Sequence, residues 1–232
     1  MNGKTKIKNL FNELSIKYDF FNDLFSLGLH RVWKRKFINR VRPSKGELWI
    51  DLCCGTGDMT FLLAELLGKE GKVVGIDSAN MTIEIAKKRN NKNKINSITW
   101  IKSDIFNDDL NLPLFDGAVI SYGLRNLIDV RLGLLCIKRL IKSGGTIGVL
   151  DFNTNKPNSI KDKFQKFYLS KIIIPITTLL GFKDHFKYLN RSLITYPDGR
   201  TLKKICLEEG FIDIRYDEIA FGQMGILIMK KM

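Results

Sequence analysis

Two glycines and two acids are the residues whose types and spacing best suit the binding of a ligand. They all follow predicted strands. Gly55 and Gly57 belong to the run WIDLCCGTGDMTFLLAELL (residues 49–67), which predicts a strand, a turn and an apolar helix. Glycine lets a backbone approach a ligand without a Cβ in the way. Asp77 follows Gly55 by 22 residues at the next strand end, where a carboxylate can accept hydrogen bonds from both hydroxyls of a ribose. Together with Asp104 after a third strand, this spacing points to a nucleoside.

The same run leaves other interpretations open. Glycine turns occur in many protein cores, and Asp77 can cap its strand end instead of binding ribose. The loop does not match G-x-G-x-x-G and lacks G-K-[ST], which disfavours a dinucleotide and a triphosphate. Cys53 and Cys54 are neighbours, so on a strand they point to opposite faces and do not easily share a metal. The four cysteines form no C-x-x-C pair, and we expect structural thiols in a reducing compartment and no metal site.

Strands and helices alternate along the part of the chain that must position these residues. That rhythm predicts an α/β fold with a doubly wound, mostly parallel sheet. In such sheets ligands bind outside the carboxyl ends of the strands, so the glycine turn and both acids would meet at one edge. The predicted strands are Leu48–Leu52, Lys72–Ile76, Ile98–Ile101, 115–123 and 146–153, and the predicted helices are Asp58–Leu67, Met81–Arg89 and 130–145.

Both ends of the chain depart from that rhythm. Apolar residues near helical spacing between Ile7 and Phe25 predict an N-terminal helical cap. A chain of 232 residues with 44% hydrophobic content fits one elaborated domain. Its predicted parts are the cap (1–42), a cofactor-binding core (43–152), an aromatic and basic insertion (153–198), and a C-terminal part (199–232) with a helix over Thr201–Glu209 and strands Phe211–Asp217 and Met224–Met229 facing each other across Gly222.

The charge of the chain favours anionic partners. Its 38 Lys and Arg residues against 24 Asp and Glu residues give a formal net charge of +14, so nucleic acid and acidic lipid headgroups are both considered. An A/T-biased coding sequence explains the lysines equally well. The start MNGKTKIKNLF has no apolar segment of a signal peptide, so we expect a cytoplasmic location. The longest uncharged apolar run, Ile172–Phe182, is about half the length of a spanning helix and can contact a membrane surface without crossing it.

Three of these motifs resemble the class I methyltransferases that use S-adenosyl-L-methionine. DLCCGTGD, VVGID with a methionine four residues on, and Ser-Asp after the third strand stand in the order in which that family contacts its cofactor. The resemblance implies a Rossmann-like sheet with an antiparallel C-terminal strand. It implies that Asp51, Gly55, Thr56 and Gly57 lie near the methionine portion, Asp77 at the ribose with Met81 close by, Asp104 and Ile105 at adenine, and Ser121 beside the cofactor.

Four longer segments resemble the C-methyltransferases that act on quinone rings in the ubiquinone and menaquinone pathways. They are KYDFFNDLFSLGLHRVWKR, SYGLRNLID, LDFNTNKP and YLNRSLITYPDGRTLKKICLEEGF. DLCCGTGD and the late GQMGIL are most similar to the cyanobacterial and plant branch that methylates demethylphylloquinone. The resemblance implies methyl transfer from S-adenosylmethionine to a ring carbon of a reduced prenylated naphthoquinone, demethylphylloquinol before all others. Demethylmenaquinone and ubiquinone-pathway methylation is the alternative within the family.

Two features depart from that family's pattern. The family usually places several residues between a Leu-Pro-Phe and the Phe-Asp of strand four, whereas Leu112-Pro113 here abuts Phe115-Asp116. The loop near Ile105 is therefore expected to differ. The family's common LEF at the end of strand five is LDF here, a conservative change.

The implied reaction needs a proton acceptor and a cation. A quinol carbon becomes more nucleophilic when a ring hydroxyl loses its proton, and the oxyanion that develops needs a positive group. Arg125 in GLRN is implied as that group and as the activator of a water, because an arginine side chain, with a pKa above about 12, cannot be the base. Tyr18 and His30 would position quinol or water, and Asn126 would contact substrate. Alternatively, Arg125 bridges Asp129 on a solvated turn, His30 is structural, and Tyr18 belongs to an apolar stripe.

The insertion at 153–198 bears on the partners. It mixes aromatic and aliphatic residues with lysines, which suits a lid over a prenyl or phytyl tail or a transient, peripheral contact with an anionic membrane surface. A core-facing helix pair is an equal alternative. An RNA methyltransferase is the rival class, since the charge and fold would fit it. However, SYGLRN replaces the [DN]-P-P-[FY] of base-amino methyltransferases, and no Pro-Cys pair marks a pyrimidine enzyme, so we expect no nucleic-acid partner. The oligomeric state is left open.

Overall fold

The computed structural model describes residues 23, 26, 28–107, 110–179 and 191–232. Most of the predicted N-terminal cap, including Tyr18, lies outside these residues. We number the described elements in chain order. The strands are β1 (Leu48–Leu52), β2 (Lys72–Asp77), β3 (Ile98–Lys102), β4 (Phe115–Ser121), β5 (Ile141–Phe152), β6 (Phe211–Ile219) and β7 (Met224–Lys231). The helices are α1 (Leu29–Val41), α2 (Asp58–Leu67), α3 (Asn80–Asn93), α4 (Val130–Leu140), α5 (Ile160–Tyr168), α6 (Ile174–Leu179) and α7 (Gly199–Glu208), with a 3-10 turn at Leu124–Asn126 and a π-helical turn at Leu169–Ile173.

The seven strands form one sheet in the order β3-β2-β1-β4-β5-β7-β6. Strands β1 to β5 pair in parallel, and β7 runs antiparallel to both β5 and β6. The chain moves outward from β1 to β3 and then returns to place β4 on the other side of β1. The gap between the carboxyl ends of β1 and β4 is therefore the switch point at which open α/β sheets bind ligands. The predicted doubly wound sheet with an antiparallel C-terminal strand is confirmed.

Two hydrophobic clusters cover the two faces of the sheet. One contains Ile50, Phe115 and Ile137 and continues to Leu202 of α7. The other joins Phe37 of α1 and Leu63 of α2 to the ring of Trp49. Because successive residues of a strand point to opposite faces, Trp49 and Ile50 are each fully buried in a different cluster. The two-sided burial explains why β1 carries almost no polar residue except Asp51 near its end.

The boundary between α4 and β5 differs from the sequence prediction. The predicted helix over 130–145 ends at Leu140, and β5 begins at Ile141 instead of near Thr146. Ile141 is fully buried and lies opposite Phe115 in the parallel β4–β5 pair. Gly144, in the left-handed region at φ 77°, cannot favour a continuing helix. Burial of Ile141 against β4 thus outweighs the helical periodicity of the preceding residues.

The C-terminal hairpin agrees with the predicted arrangement and is longer than predicted. Strands β6 and β7 pair from Phe211 opposite Lys231 to Ile219 opposite Met224, across the turn that contains Gly222. In the insertion, α5, the π-helical turn and α6 follow one another without a break, and residues 180–190 lie outside the described part. None of the described helices is long and apolar enough to cross a membrane.

Candidate active site

A cleft open to solvent lies at the carboxyl ends of β1, β2, β3 and β4. A smaller second cavity adjoins it, and the two share Cys53, Gly55, Ser121 and Tyr122 as walls. The sheet topology explains this convergence, because four parallel strands end at the same edge. Six of the predicted site residues line the main cleft: Gly55, Asp77, Asp104, Ile105, Ser121 and Asn126. Asp51 and Thr56 line the second cavity.

The glycine turn and the second-strand acid are joined directly. The N–H of Gly55 donates to Asp77 Oδ2 at 2.8 Å, and the N–H of Ala79 donates to Asp77 Oδ1 at 2.8 Å. Gly55 adopts φ 56°, the left-handed region that glycine enters without strain. Burial raises the pKa of Asp77, although these backbone donors oppose the shift. The carboxylate is thus held in one orientation at the cleft wall.

The far wall of the cleft combines polar and apolar groups. Asp104 Oδ1 accepts from the N–H of Phe106 at 3.0 Å, which fixes the loop after β3. Ile105 is 8% exposed and presents an apolar surface to the cleft. Ser121, the last residue of β4, has a buried Oγ with no hydrogen-bond partner among the described residues. A buried hydroxyl of this kind is costly unless a bound ligand or water satisfies it.

The second cavity contains both signs of charge. Asp51 is 1% exposed, and its Oδ2 accepts from Thr60 Oγ1 at 2.6 Å. Burial raises the pKa of Asp51 to about 7, against the Thr60 hydrogen bond and the charge of Lys34. Lys34 Nζ donates to Asp58 Oδ2 at 2.8 Å, and its side chain is only 7% exposed. An ammonium and a buried carboxylate therefore face the same small space.

A chain of ion pairs closes the outer side of this cavity. Asp58, the first residue of α2, pairs with Lys34 and, through Oδ1, with Arg89 at 2.8 Å. Burial alone would raise the pKa of Asp58, but the charges and hydrogen bonds of Lys34 and Arg89 together lower it to about 2. Arg89 also donates to the carbonyl oxygen and to Oγ1 of Thr56, at 3.0 and 3.1 Å. The Thr-Gly-Asp part of the loop is thereby tied to α1 and α3.

Two of the predicted cofactor-binding residues, Gly57 and Met81, line neither cavity. Gly57 adopts φ 93°, and a Cβ on it would approach Trp100 Cη2 to 2.5 Å and Phe61 Cε2 to 3.1 Å. The missing Cβ of Gly57 therefore leaves space for these two aromatic rings. This packing does not favour the expectation that Gly57 lets the backbone approach a ligand. Met81 is 39% exposed on α3 and lines neither cavity.

Arg125 lines neither cavity, although its neighbours Tyr122 and Asn126 line the main cleft. Its Nη1 donates to Asp151 Oδ1 at 2.6 Å and to the carbonyl oxygen of Tyr122 at 2.7 Å. The guanidinium carbon lies 5.0 Å from the centre of the Phe152 ring. The Arg125 side chain is largely buried against Asp151, whereas Asp129, the partner in the alternative interpretation, caps α4 by accepting from the N–H of Leu132.

Asn126 and His30 are placed differently. Asn126 lines the cleft, and its Nδ2 donates to the carbonyl oxygen of Tyr122 at 3.0 Å. His30 lies in a separate groove between α1, α2 and α3, with its Nδ1 3.0 Å from Ser26 Oγ and 3.6 Å from Asp23 Oδ1. Burial, and then the charge of Lys34, lower the His30 pKa. These contacts favour a structural role for His30 over a catalytic one.

Sequence reasoning missed several residues of the site. Cys53, interpreted as a structural thiol, lines the cleft at φ 55°, and burial raises its thiol pKa well above the ordinary value, so it stays protonated. Lys34 and Tyr122 line the second cavity, and no spacing rule singled them out. They do stand inside the quoted segments KYDFFNDLFSLGLHRVWKR and SYGLRNLID, which were the available signals.

Comparison with known proteins decides the family. The model of the ubiE/COQ5 methyltransferase family matches residues 1–231. The chain belongs to this family. It is therefore a methyltransferase, and S-adenosylmethionine is its methyl donor.

Relatives of the family align along nearly the full chain. A 2-phytyl-1,4-naphtoquinone methyltransferase of Nostoc sp. is 35% identical over 228 residues, which is 97% of this chain and 99% of the relative. A chloroplastic 2-phytyl-1,4-beta-naphthoquinone methyltransferase of Arabidopsis thaliana is 34% identical over 222 residues, 94% of this chain and 85% of the relative. A solved S-adenosylmethionine-dependent methyltransferase of Aquifex aeolicus has the same fold, with a TM-score of 0.63, 15% identity and coverage of 86% of this chain and 89% of that one.

The residues at the carboxyl edge fit the family's methyl donor. The fixed Asp77 carboxylate faces the cleft where a ribose can donate two hydroxyls, and the buried Ser121 Oγ lacks a partner that a ligand would supply. The apolar Ile105 can pack against a flat base, and the second cavity offers a carboxylate and an ammonium to the two ends of an amino acid. Each part of a nucleoside joined to an amino acid thus meets a group of suitable chemistry.

Proposed function

We propose that this protein transfers a methyl group from S-adenosylmethionine to a ring carbon of a reduced prenylated naphthoquinone, converting demethylphylloquinol to phylloquinol. The observation that carries the proposal is the full-length similarity to 2-phytyl-1,4-naphthoquinone methyltransferases, at 31–35% identity. Methylation of demethylmenaquinol or of a ubiquinone precursor is the alternative within the family.

The chemistry selects the reduced form of the acceptor. Bound S-adenosylmethionine supplies an electrophilic methyl group on a sulfonium. A ring carbon reacts with it only when the ring is electron-rich, as in a quinol and still more in its phenolate. An oxidised quinone lacks that electron density. The protein must therefore hold the quinol with one ring carbon in line with the donor.

In this proposal the cofactor-binding residues divide by cavity. Asp77 accepts from the ribose hydroxyls, Asp104 and Ile105 contact the adenine, and Ser121 supplies a hydroxyl between the two cavities. Gly55, Thr56 and Asp51 lie beside the methionine portion. Both the shared walls of the two cavities and the opposite charges in the second one support this assignment.

Arg125 and Asn126 are the proposed groups on the acceptor side. They follow β4 at the carboxyl edge, next to the cleft wall formed by Tyr122. The two Nη1 hydrogen bonds of Arg125 fix the plane of its guanidinium, whose donors point in a rigid fork. From behind that wall, a guanidinium held in this way keeps its charge and its remaining N–H donors in one place beside the acceptor, without reorganisation during the reaction. Tyr18, outside the described residues, stays a prediction as a further contact of the quinol.

One experiment tests the proposed reaction against its alternatives. The purified protein is incubated with methyl-labelled S-adenosylmethionine and, in parallel, with reduced phytyl-naphthoquinol, reduced polyprenyl-naphthoquinol, a reduced prenyl-benzoquinol and total RNA. We expect label in the ring of the phytyl-naphthoquinol at the highest kcat/KM, with the label on carbon in the product's NMR spectrum. Preferential label in the benzoquinol would assign the alternative pathway, and label in RNA alone would contradict the proposal.

The proposed acceptor is lipophilic, and the protein must take it up from a membrane. We propose that α5 and the β6–β7 turn contact an anionic membrane surface from the cytoplasmic side. Phe164 packs edge-on against Phe221 of that turn, with ring centres 5.6 Å apart, yet the two are 44% and 60% exposed. Exposed aliphatic and aromatic residues surround this pair, and lysines flank it. The apolar residues are Ile160, Phe167 and Ile172, and the lysines are Lys163, Lys166 and Lys171. Such a face suits the boundary between headgroups and acyl chains.

Vesicle sedimentation tests this surface. The protein should bind vesicles that contain phosphatidylglycerol more strongly than vesicles of phosphatidylcholine alone, because the lysines favour anionic headgroups. Replacing both Phe164 and Phe167 by Ser should release it. Leu207→Ser, which removes a 64% exposed leucine from α7, is the matched control and should leave binding unchanged. Equal loss in both variants, or no loss in the first, would contradict a membrane contact at this face.

A further inference from the structure

The Asp151 carboxylate binds both the backbone and the side chain of Arg125. Its Oδ1 accepts from Arg125 Nη1 at 2.6 Å, and its Oδ2 accepts from the backbone N–H of Arg125 at 3.1 Å. The N–H of Phe152 also donates to Oδ1, at 2.8 Å. The Asp151 side chain is 2% exposed and that of Arg125 10%. A carboxylate with three such bonds has little rotational freedom, so it fixes the positions of both the backbone N–H and the guanidinium of Arg125.

The sheet explains why two residues 26 positions apart meet in this way. Strands β4 and β5 are parallel neighbours, with Ser121 opposite Leu150. Asp151 therefore stands one residue past that pair at the carboxyl edge, beside the turn that carries Arg125. Tyr196, 5% exposed, also lies near Asp151. Burial raises the pKa of Tyr196, and the negative charge of Asp151 raises it further. Residues from three of the segments quoted for the resemblance thus lie around one buried pair.

Packing alone does not account for an acid at this position. Burying a charge is unfavourable unless a partner of opposite charge compensates, and an apolar side chain of similar volume would pack without that cost. Asp151 lines neither cavity, so it does not contact the space in which substrate and cofactor would lie. Among the described residues, its side-chain hydrogen bonds are all with Arg125 or with the backbone N–H of Phe152. A role exerted through Arg125 is therefore the one that its surroundings support.

We infer that Asp151 is a positioning residue that sets the plane of the Arg125 guanidinium for methyl transfer. The inference rests on the proposed function of Arg125. Loss of the Asp151 charge would leave a buried arginine whose fork is no longer held, so the chemical step should suffer while the cofactor site stays intact. Glu at this position would keep the carboxylate and add one methylene.

A double-mutant cycle tests the inference. Asp151→Asn, Asp151→Glu and Arg125→Lys are each made alone, and both Asp151 changes are also made in the Arg125→Lys background. For Asp151→Asn we expect kcat on reduced phytyl-naphthoquinol to fall at least about tenfold, with the dissociation constant for S-adenosylmethionine within about twofold. Asp151→Glu should retain more activity than Asp151→Asn. Neither change should lower kcat further once Arg125 is Lys, because residues that act as a unit are non-additive.

Asp116→Asn is the matched control. Asp116 lies on β4 and, like Asp151, forms an ion pair, with Lys142 at 2.6 Å, but it stands at the amino end of its strand, away from the cleft. This change should leave kcat unaltered even if it lowers stability.

The outcomes separate the inference from the proposed function. Full activity of Asp151→Asn, or an equal loss with and without Arg125, would overturn the positioning role. An active Arg125→Lys variant would instead remove the proposed role of Arg125 itself. If Asp151→Asn does not fold, Asp151→Glu decides by the same criterion. A several-fold loss of kcat when Arg125 is present, but not in the Arg125→Lys background, supports the inference. The same loss in both backgrounds contradicts it.

Discussion

The backbone N–H of Gly55 and the Asp77 carboxylate form a 2.8 Å hydrogen bond that joins two motifs 22 residues apart. Ala79 occupies the other oxygen in the same way. Because each carboxylate oxygen has two lone pairs, both oxygens can accept a further bond from a ribose hydroxyl. Asp77 therefore serves the turn and the proposed ligand at the same time.

Asp77→Asn should weaken S-adenosylmethionine binding by roughly tenfold or more, because it removes a charged acceptor from hydrogen bonds worth about 1.5–3 kcal/mol each. Asn is preferred to Ala, since it can keep one of the two backbone N–H groups satisfied. Isothermal titration calorimetry measures the change, and circular dichroism verifies the fold. A folded variant with wild-type affinity would remove Asp77 from the binding site.

The pH dependence of stability should carry the signature of Asp51. Its pKa rises from 3.8 to about 7 on folding because of burial, so between these values the folded state binds more protons than the unfolded state. The contribution of Asp51 is fully present below pH about 4 and is lost as pH rises through about 7. Without ligand, the free energy of unfolding should therefore fall less steeply with pH in Asp51→Asn than in the wild type, as urea denaturation across this window would show. Identical slopes would contradict the assignment.

Gly57→Ala should cost more stability than Gly28→Ala. Both glycines precede a helix in the left-handed region, at φ 93° and 76°, so both variants pay the strain of a Cβ there, about 1 kcal/mol. Only at Gly57 does the added Cβ collide with Trp100 Cη2, which adds about 1–3 kcal/mol. Denaturant titration gives both values. Equal losses would show that the space beside Trp100 can adjust.

The sheet was predictable because its strands are short apolar runs between turn residues, and the predicted β1 and α2 have the observed bounds. The start of β5 was not, since Ile141 continues a helical pattern and only its pairing with Phe115 makes it a strand residue. Asp77 was placed at the carboxyl edge by the predicted strand order, whereas Ser121 was placed beside the cofactor only by the family resemblance.

Side-chain direction limited the rest of the site. Arg125 was assigned correctly to the carboxyl edge, but its partner Asp151 is brought near only by the parallel β4–β5 pair. Gly57 has the same residue type as Gly55, and the difference between them is the ring of Trp100, which stands 43 positions later in the chain. Contacts between elements distant in sequence therefore decided which residues face the cleft.

The dependence of methyl transfer on the redox state of the acceptor tests the central claim most directly. Labelled S-adenosylmethionine and phytyl-naphthoquinone are incubated with the protein, once with the acceptor kept oxidised and once after chemical reduction under nitrogen, and labelled product is quantified by chromatography. We predict ring-methylated product only from the reduced acceptor, and its appearance in the oxidised sample as soon as reductant is added. Equal rates on the two forms would contradict methylation of a nucleophilic quinol ring.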